Sequence, residues 1–165
     1  MKIVTVFTDG AAKGNGRKDA IGGIGIYFDG EPHLSHYEVV KTSTFKTKVT
    51  NNLTELYAIK KAIELTIKEY SSFILYLYTD SQYSYNIFTS WGKKWKENNW
   101  KKADGKPIIN LDLIKSIYEY KENYKIIFHH CNSHKSPPPI TSPEYKIWYG
   151  NDQADQLANR GISEL

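Results

Sequence analysis

Two apolar runs, Ile3 to Thr8 and Phe73 to Thr79, each lead straight into an aspartate, Asp9 and Asp80. Both are rich in β-branched and aromatic residues and too short for helices, so they read as buried strands. Between them Leu53, Leu56, Tyr57, Ile63, Ile67 and Tyr70 recur at helical spacing, which predicts a long amphipathic helix over Asn52 to Tyr70. In a sheet built with helical crossovers, ligands commonly bind at the carboxyl ends of the strands. Asp9 and Asp80 are therefore expected side by side at one edge.

The rest of the pattern fills in that sheet. The glycine-rich stretch Gly10 to Gly25 reads as a turn, Ile24 to Phe28 opens a second strand, and Leu34 to Val40 reads as a third. Ser81 is a candidate N-cap for a short helix. Leu111 to Tyr120 reads as helix and Lys125 to Cys131 as the last strand. A proline-bearing loop, Ser136 to Pro143, leads to a final helix from about Asn151 to Arg160. The order β-β-β-α-β-α-α-β-α places the chain in the α/β class, as a five-stranded mixed sheet flanked by helices.

At 165 residues the chain is expected to form a single domain over 1–165. No stretch approaches the ~20 apolar residues of a membrane span, and Cys131 is the only cysteine. Secreted disulfide scaffolds and membrane spans are thereby excluded, and no membrane partner is expected. The expected location is intracellular, the cytoplasm first, with the nucleus or an organelle as alternatives. The net charge of +4 is a mild pull toward polyanions. Only Arg17 and Arg160 are arginines, and the other basic residues are lysines. Lysine acts on phosphate as a point charge, whereas arginine's fork suits base reading. A nucleic-acid partner would thus be held by its backbone, without sequence recognition.

Glu55 falls in the predicted first turn of the long helix, and Asp155 lies in the last helix. Singly, Asp9-Gly10 reads as a turn, Glu55 as a charge on a helix dipole, and Asp155 as a solvated helix face. Converging carboxylates raise one another's pKa unless compensated. A divalent cation supplies that compensation, and an all-oxygen donor set selects magnesium or manganese over zinc.

The surroundings of these acids resemble ribonuclease H of the type 1 class, eukaryotic-type branch. Phe7-Thr8-Asp9-Gly10 is similar to the family's first-strand motif, with Gly14-Asn15 following. Thr50-Asn51-Asn52-Leu53-Thr54-Glu55 resembles its helix start, and Tyr78-Thr79-Asp80-Ser81-Gln82 its Thr-Asp-Ser segment. Asn151-Asp152-Gln153-Ala154-Asp155-Gln156-Leu157-Ala158 resembles its closing helix. The likeness runs in order from Ile3 to about Gly161.

That resemblance implies a ribonuclease H-like fold and an endonuclease that hydrolyses the RNA strand of RNA–DNA hybrids. It implies two Mg2+ ions, with Mn2+ as a substitute, held by Asp9, Glu55, Asp80 and Asp155, and products with 5′-phosphate and 3′-hydroxyl ends. His134 sits where the family carries a mobile histidine for proton transfer or product departure. Asn15, Asn51 and Gln82, with Asn52 and Asn151 nearby, are expected to contact substrate, since amides both donate and accept toward ribose hydroxyls and base edges. Lys48, Thr50 and Asn110 match the family's pocket for a DNA-strand phosphate.

Trp91, Trp95 and Trp100 interleave with Lys93, Lys94, Lys96, Lys101, Lys102 and Lys106. This segment looks like the family's basic protrusion, with Trp91, Lys93, Lys94, Trp95 and Lys96 as substrate contacts. The chain departs from the family in the sixteen residues between His134 and Asn151, which include Pro137-Pro138-Pro139. A monomer without a separate N-terminal hybrid-binding domain is expected. Two other readings stay open: a DNA-acting integrase- or resolvase-like relative of the same fold, and a non-catalytic hybrid-binding module.

Overall fold

The computed structural model describes residues 1–45, 47–132 and 136–165. Its strands are β1 (Lys2–Lys13), β2 (Ile21–Phe28), β3 (His36–Lys41), β4 (Phe73–Thr79) and β5 (Ile126–His130). Its helices are α1 (Thr42–Phe45), α2 (Asn51–Glu69), α3 (Gln82–Asn86), α4 (Gly92–Glu97), α5 (Leu111–Asn123) and α6 (Tyr145–Ser163). A π-helical turn, Ile87–Trp91, joins α3 to α4.

Among the described residues the strands form one five-stranded sheet in the order β3-β2-β1-β4-β5. Strands β1, β2 and β3 pair antiparallel, while β1–β4 and β4–β5 pair parallel. The mixed α/β sheet expected from the sequence is the one observed. Along β4, Phe73, Leu75, Leu77 and Thr79 are buried while the residues between them are half-buried, the period-two signature of a strand. Val4, Val6, Leu75, Leu77 and Phe128 join Leu56, Ile59 and Ile63 of α2 and Ile114 and Ile117 of α5 in the core. Each such side chain stabilises the fold by roughly 1.5–3 kcal/mol on full burial. Helix α6 lies against the sheet at β2, where a Cβ on Gly25 would overlap the Ala154 carbonyl and one on Gly23 that of Ala158.

Three boundaries differ most from the sequence reading. Strand β1 does not end at Asp9: its pairing with β4 stops at Thr8↔Thr79, but pairing with β2 continues to Lys13↔Ile21. Gly22, Gly23 and Gly25 therefore lie in a strand, and the turn shrinks to the residues around Gly14 and Gly16, both at positive φ. Helix α6 begins at Tyr145 rather than near Asn151. Its entry is organised by Ser142, whose hydroxyl accepts from the Glu144 N–H at 3.2 Å and whose carbonyl accepts from Tyr145 at 3.1 Å. Ser142-Pro143 carries a turn signal in the sequence, a serine able to bond its own backbone two residues on and a proline just ahead of the helix. Among the described residues no helix is long and apolar enough to cross a membrane.

Candidate active site

The cleft opens where β1 loses β4 as its neighbour. Thr8 and Thr79 are the last register partners of the parallel pair, so Asp9 and Asp80, the next residue of each chain segment, emerge together. This edge is also where the sheet changes from antiparallel to parallel pairing around β1, the kind of switch point at which α/β sheets bind ligands. Glu55 joins them from α2. That helix starts at Asn51, capped by Thr50, whose hydroxyl accepts from the Leu53 N–H at 3.2 Å. Glu55 is thus one residue beyond the first turn, where its side chain reaches back over β1. The approach depends on Gly10, since a Cβ there would fall 2.5 Å from the Glu55 nitrogen.

Asp9, Glu55 and Asp80 each bring a carboxylate oxygen within 4.8 Å of the others. Asp155 of α6 lines the same cleft, of about 480 Å³, with Asn51, Asn52 and Gln82. Burial, then the charges of Asp80 and Asp155, together push the Asp9 carboxyl up to about 8. Burial, then Asp9 and Asp80, hold Glu55 well above the usual carboxylate range. The Oε1 of Glu55 is buried without a hydrogen-bond partner among the described residues. The Glu55 carboxylate sits among those of Asp9 and Asp80, and carboxylates bond one another only through a shared proton. A hard divalent cation satisfies that orphaned oxygen and neutralises the cluster with one all-oxygen donor set. The residues present fit such an ion.

The amide rim is built into the scaffold. Asn15 Oδ1 accepts the Asn51 N–H at 2.7 Å, and Asn51 Oδ1 accepts the Ala12 N–H at 3.1 Å. Gln82 is exposed at the cleft mouth, its Nε2 donating to Asn86 at 2.8 Å. A neighbouring cleft of about 520 Å³ is lined by Asn15, Thr50, Asn52, Trp91, Trp95 and Asn110 among others. Lys48 is exposed beside the Thr50 cap. Tyr83, absent from the sequence-predicted site, lines both clefts; its only signal in the sequence is a place three residues after Asp80 in a capped helix.

Other expected contacts sit differently. Asn151 is 6% exposed and its Oδ1 accepts from the Cys131 thiol at 3.6 Å, so it lies behind the cleft and not on its rim. Burial, then Asp80, Asp9 and Glu55, push that thiol up to about 12, and it stays a neutral donor. Lys96 is tied to Glu122 of α5, with both carboxylate oxygens at 2.7 Å. Trp95 and Trp100 are half-buried and pack against the core, leaving Trp91 as the exposed tryptophan of the segment. Lys93 and Lys94 remain exposed. His134 lies outside the described residues.

The family model for RNase H matches residues 1–163. A ribonuclease H from Cupriavidus metallidurans is 32% identical over 165 residues, covering 100% of this chain and 99% of that protein. One from Schizosaccharomyces pombe is 32% identical over 159 residues, but the chain spans about half of that protein's length, 53%. Among solved structures, LC9-RNase H1, a type 1 enzyme with the type 2 active-site motif, superposes with a TM-score of 0.75 at 22% identity. That alignment covers 99% of this chain and 74% of that one. LC11-RNase H1, solved in complex with an RNA/DNA hybrid, gives a TM-score of 0.61 at 19% identity, with 98% and 97% covered. These structural likenesses speak for the fold, and the sequence matches reach further: with an acidic cluster fit for a metal ion at the switch point of its sheet, the chain belongs to the ribonuclease H family of nucleases.

Proposed function

We propose that the chain is an endonuclease that cuts the RNA strand of RNA–DNA hybrids, using two Mg2+ ions and leaving 5′-phosphate and 3′-hydroxyl ends. The observation that carries this reading is the convergence of Asp9, Glu55 and Asp80 within 4.8 Å, with a buried Glu55 oxygen left without a hydrogen-bond partner. Asp9, Glu55, Asp80 and Asp155 would hold the ions. When bound, such ions supply a nucleophilic hydroxide and neutralise charge on the phosphate and the leaving oxygen.

The chain's own residues then bind and orient the substrate. Asn15 and Asn51 have their amide oxygens engaged by backbone N–H groups, so toward a ligand they present N–H donors. Donors suit ribose 2′-hydroxyls and the acceptors of the minor groove. Trp91 offers an exposed ring for a sugar or base face, and Lys93 and Lys94 offer charge for phosphates. Thr50 and Asn110 line the neighbouring cleft, where with Lys48 they would receive a DNA-strand phosphate. His134 would move a proton or assist product departure. Contacts of this kind read backbone and sugar, so cleavage would not depend on sequence.

The test uses labelled RNA–DNA hybrid, duplex DNA and duplex RNA, each with Mg2+ or with chelator. The expected result is Mg2+-dependent cleavage of the RNA strand of the hybrid alone. Cleavage of DNA strands would make the chain a DNA-acting relative, and binding without cleavage a hybrid-binding module; either overturns the proposal.

A further inference from the structure

Asn151 and Asp155 stand one turn apart on α6 and share a face of that helix. The Cys131 thiol donates to Asn151 Oδ1 at 3.6 Å, and both residues are buried. Cys131 follows β5 directly, and its backbone N–H donates to the Thr79 carbonyl at 2.9 Å. Thr79 is the residue before Asp80. A path of two hydrogen bonds therefore runs from the strand end that carries Asp80 to the helical turn that carries Asp155.

Of the other contacts of α6, the Tyr37 hydroxyl of β3 donates to Glu164 at the helix C-cap at 3.2 Å, while the closest approaches to β1 and β2 are steric. Gly23 and Gly25 meet the Ala158 and Ala154 carbonyls, and Gly150 lies on the Phe7 ring. These steric contacts set how near α6 lies to β1 and β2, but they direct no donor at an acceptor. A hydrogen bond is directional and weakens steeply away from its geometry, so the Cys131–Asn151 bond resists sliding of α6 along its own axis. A slide of that helix would carry Asp155 away from Asp9 and Asp80.

We propose that Cys131 and Asn151 are positioning residues whose buried hydrogen bond sets Asp155 of α6 against Asp9 and Asp80 at the metal site. The inference rests on the proposed function of that site. Neither residue is asked to touch substrate or metal.

The test measures Mn2+ binding to the substrate-free protein, from the electron paramagnetic resonance of free Mn2+, with thermal melts of every variant. Cys131→Val fills the space without a donor, Cys131→Ser keeps one, and Asn151→Ala removes the acceptor. Removing a group that hydrogen-bonds a metal ligand costs about 10–100-fold in affinity; this pair acts on Asp155 only through α6, so Cys131→Val and Asn151→Ala should each weaken Mn2+ binding by about three- to tenfold. Cys131→Ser should bind within about twofold of the unaltered chain, since a hydroxyl replaces the thiol as donor. The double variant should be no weaker than either single one, because both substitutions break the same bond. Additive effects, failure of serine to rescue, or unchanged Mn2+ affinity in a folded Cys131→Val protein overturn the inference. Unchanged affinity in the variants beside intact hybrid cleavage by the unaltered chain overturns it alone. An unaltered chain that neither binds Mn2+ nor cuts hybrid overturns the proposed function with it.

Discussion

Asn15 accepts the backbone N–H of Asn51 at 2.7 Å, which clamps the β1–β2 turn onto the first residue of α2. The clamp is closed by Asn51, whose own side chain accepts from Ala12 at 3.1 Å. Residues of the proposed substrate rim therefore also hold together the two segments that carry Asp9 and Glu55. Asn51→Ala is expected to lower stability by about 1 kcal/mol, the usual net worth of a hydrogen bond. It should also raise KM for hybrid more than it lowers kcat. Urea melts and steady-state cleavage measure the two effects, and an unchanged KM would detach Asn51 from substrate.

The raised pKa of Asp9 gives metal-free stability a definite pH dependence. Its folded-state value of about 8 lies above the unfolded value of 3.8. The unfolded chain thus releases its proton first as pH rises, and stability declines between about pH 4 and pH 8. In chelator the melting temperature should fall across that window, and Mg2+ or Mn2+ should restore it at pH 8 by binding the folded form. Asp9→Asn removes the ionisation and should stabilise the metal-free protein at pH 8 by on the order of 2 kcal/mol, while abolishing cleavage. A melting temperature indifferent to pH in chelator would contradict this.

Lysines of the Trp91–Lys106 segment should contribute unequally. Lys96 is already held by Glu122 at 2.7 Å, whereas Lys93 and Lys94 are exposed and form no salt bridge among the described residues. Removing one phosphate contact takes roughly 0.9 off the slope of log K against log salt. The pair Lys93→Ala, Lys94→Ala should flatten that slope for hybrid binding, and Lys96→Ala should change it less. Equal effects from all three would show that the Glu122 pair opens on binding.

The carboxylates and the strands that bear them are legible in the sequence because their signals are local. Apolar runs ending in aspartate, a Thr-Asn-Asn helix start and a serine cap each occupy a few consecutive residues, and Ser81 does accept from the Ser84 N–H at 3.1 Å. Partners distant in sequence are not legible. Nothing in Lys96 announces Glu122, nor in Asn151 the thiol of Cys131, since both pairings depend on how α5 and α6 dock. The glycines of β2 mislead for a related reason. Gly23 and Gly25 read as turn residues, yet they are small because α6 lies against them, and close approach leaves the same sequence mark as a turn.

Gly10 offers the sharpest test of how the backbone places the site. It lies in β1 between Asp9 and Ala11, and a Cβ on it would sit 2.5 Å from the Glu55 nitrogen and 2.6 Å from the Thr54 Oγ1. Those are backbone and buried atoms of α2, so the helix start must move. Forcing a methyl into packed structure costs about 1–3 kcal/mol, and the displaced residue here is Glu55 itself. Gly10→Ala is therefore expected to melt earlier by that amount, and to weaken Mn2+ binding more than Asn51→Ala does. Melts and Mn2+ titration of both variants decide it. A Gly10→Ala protein that is destabilised yet binds Mn2+ as well as the unaltered chain would mean that Glu55 reaches the ion without this close approach of α2 to β1.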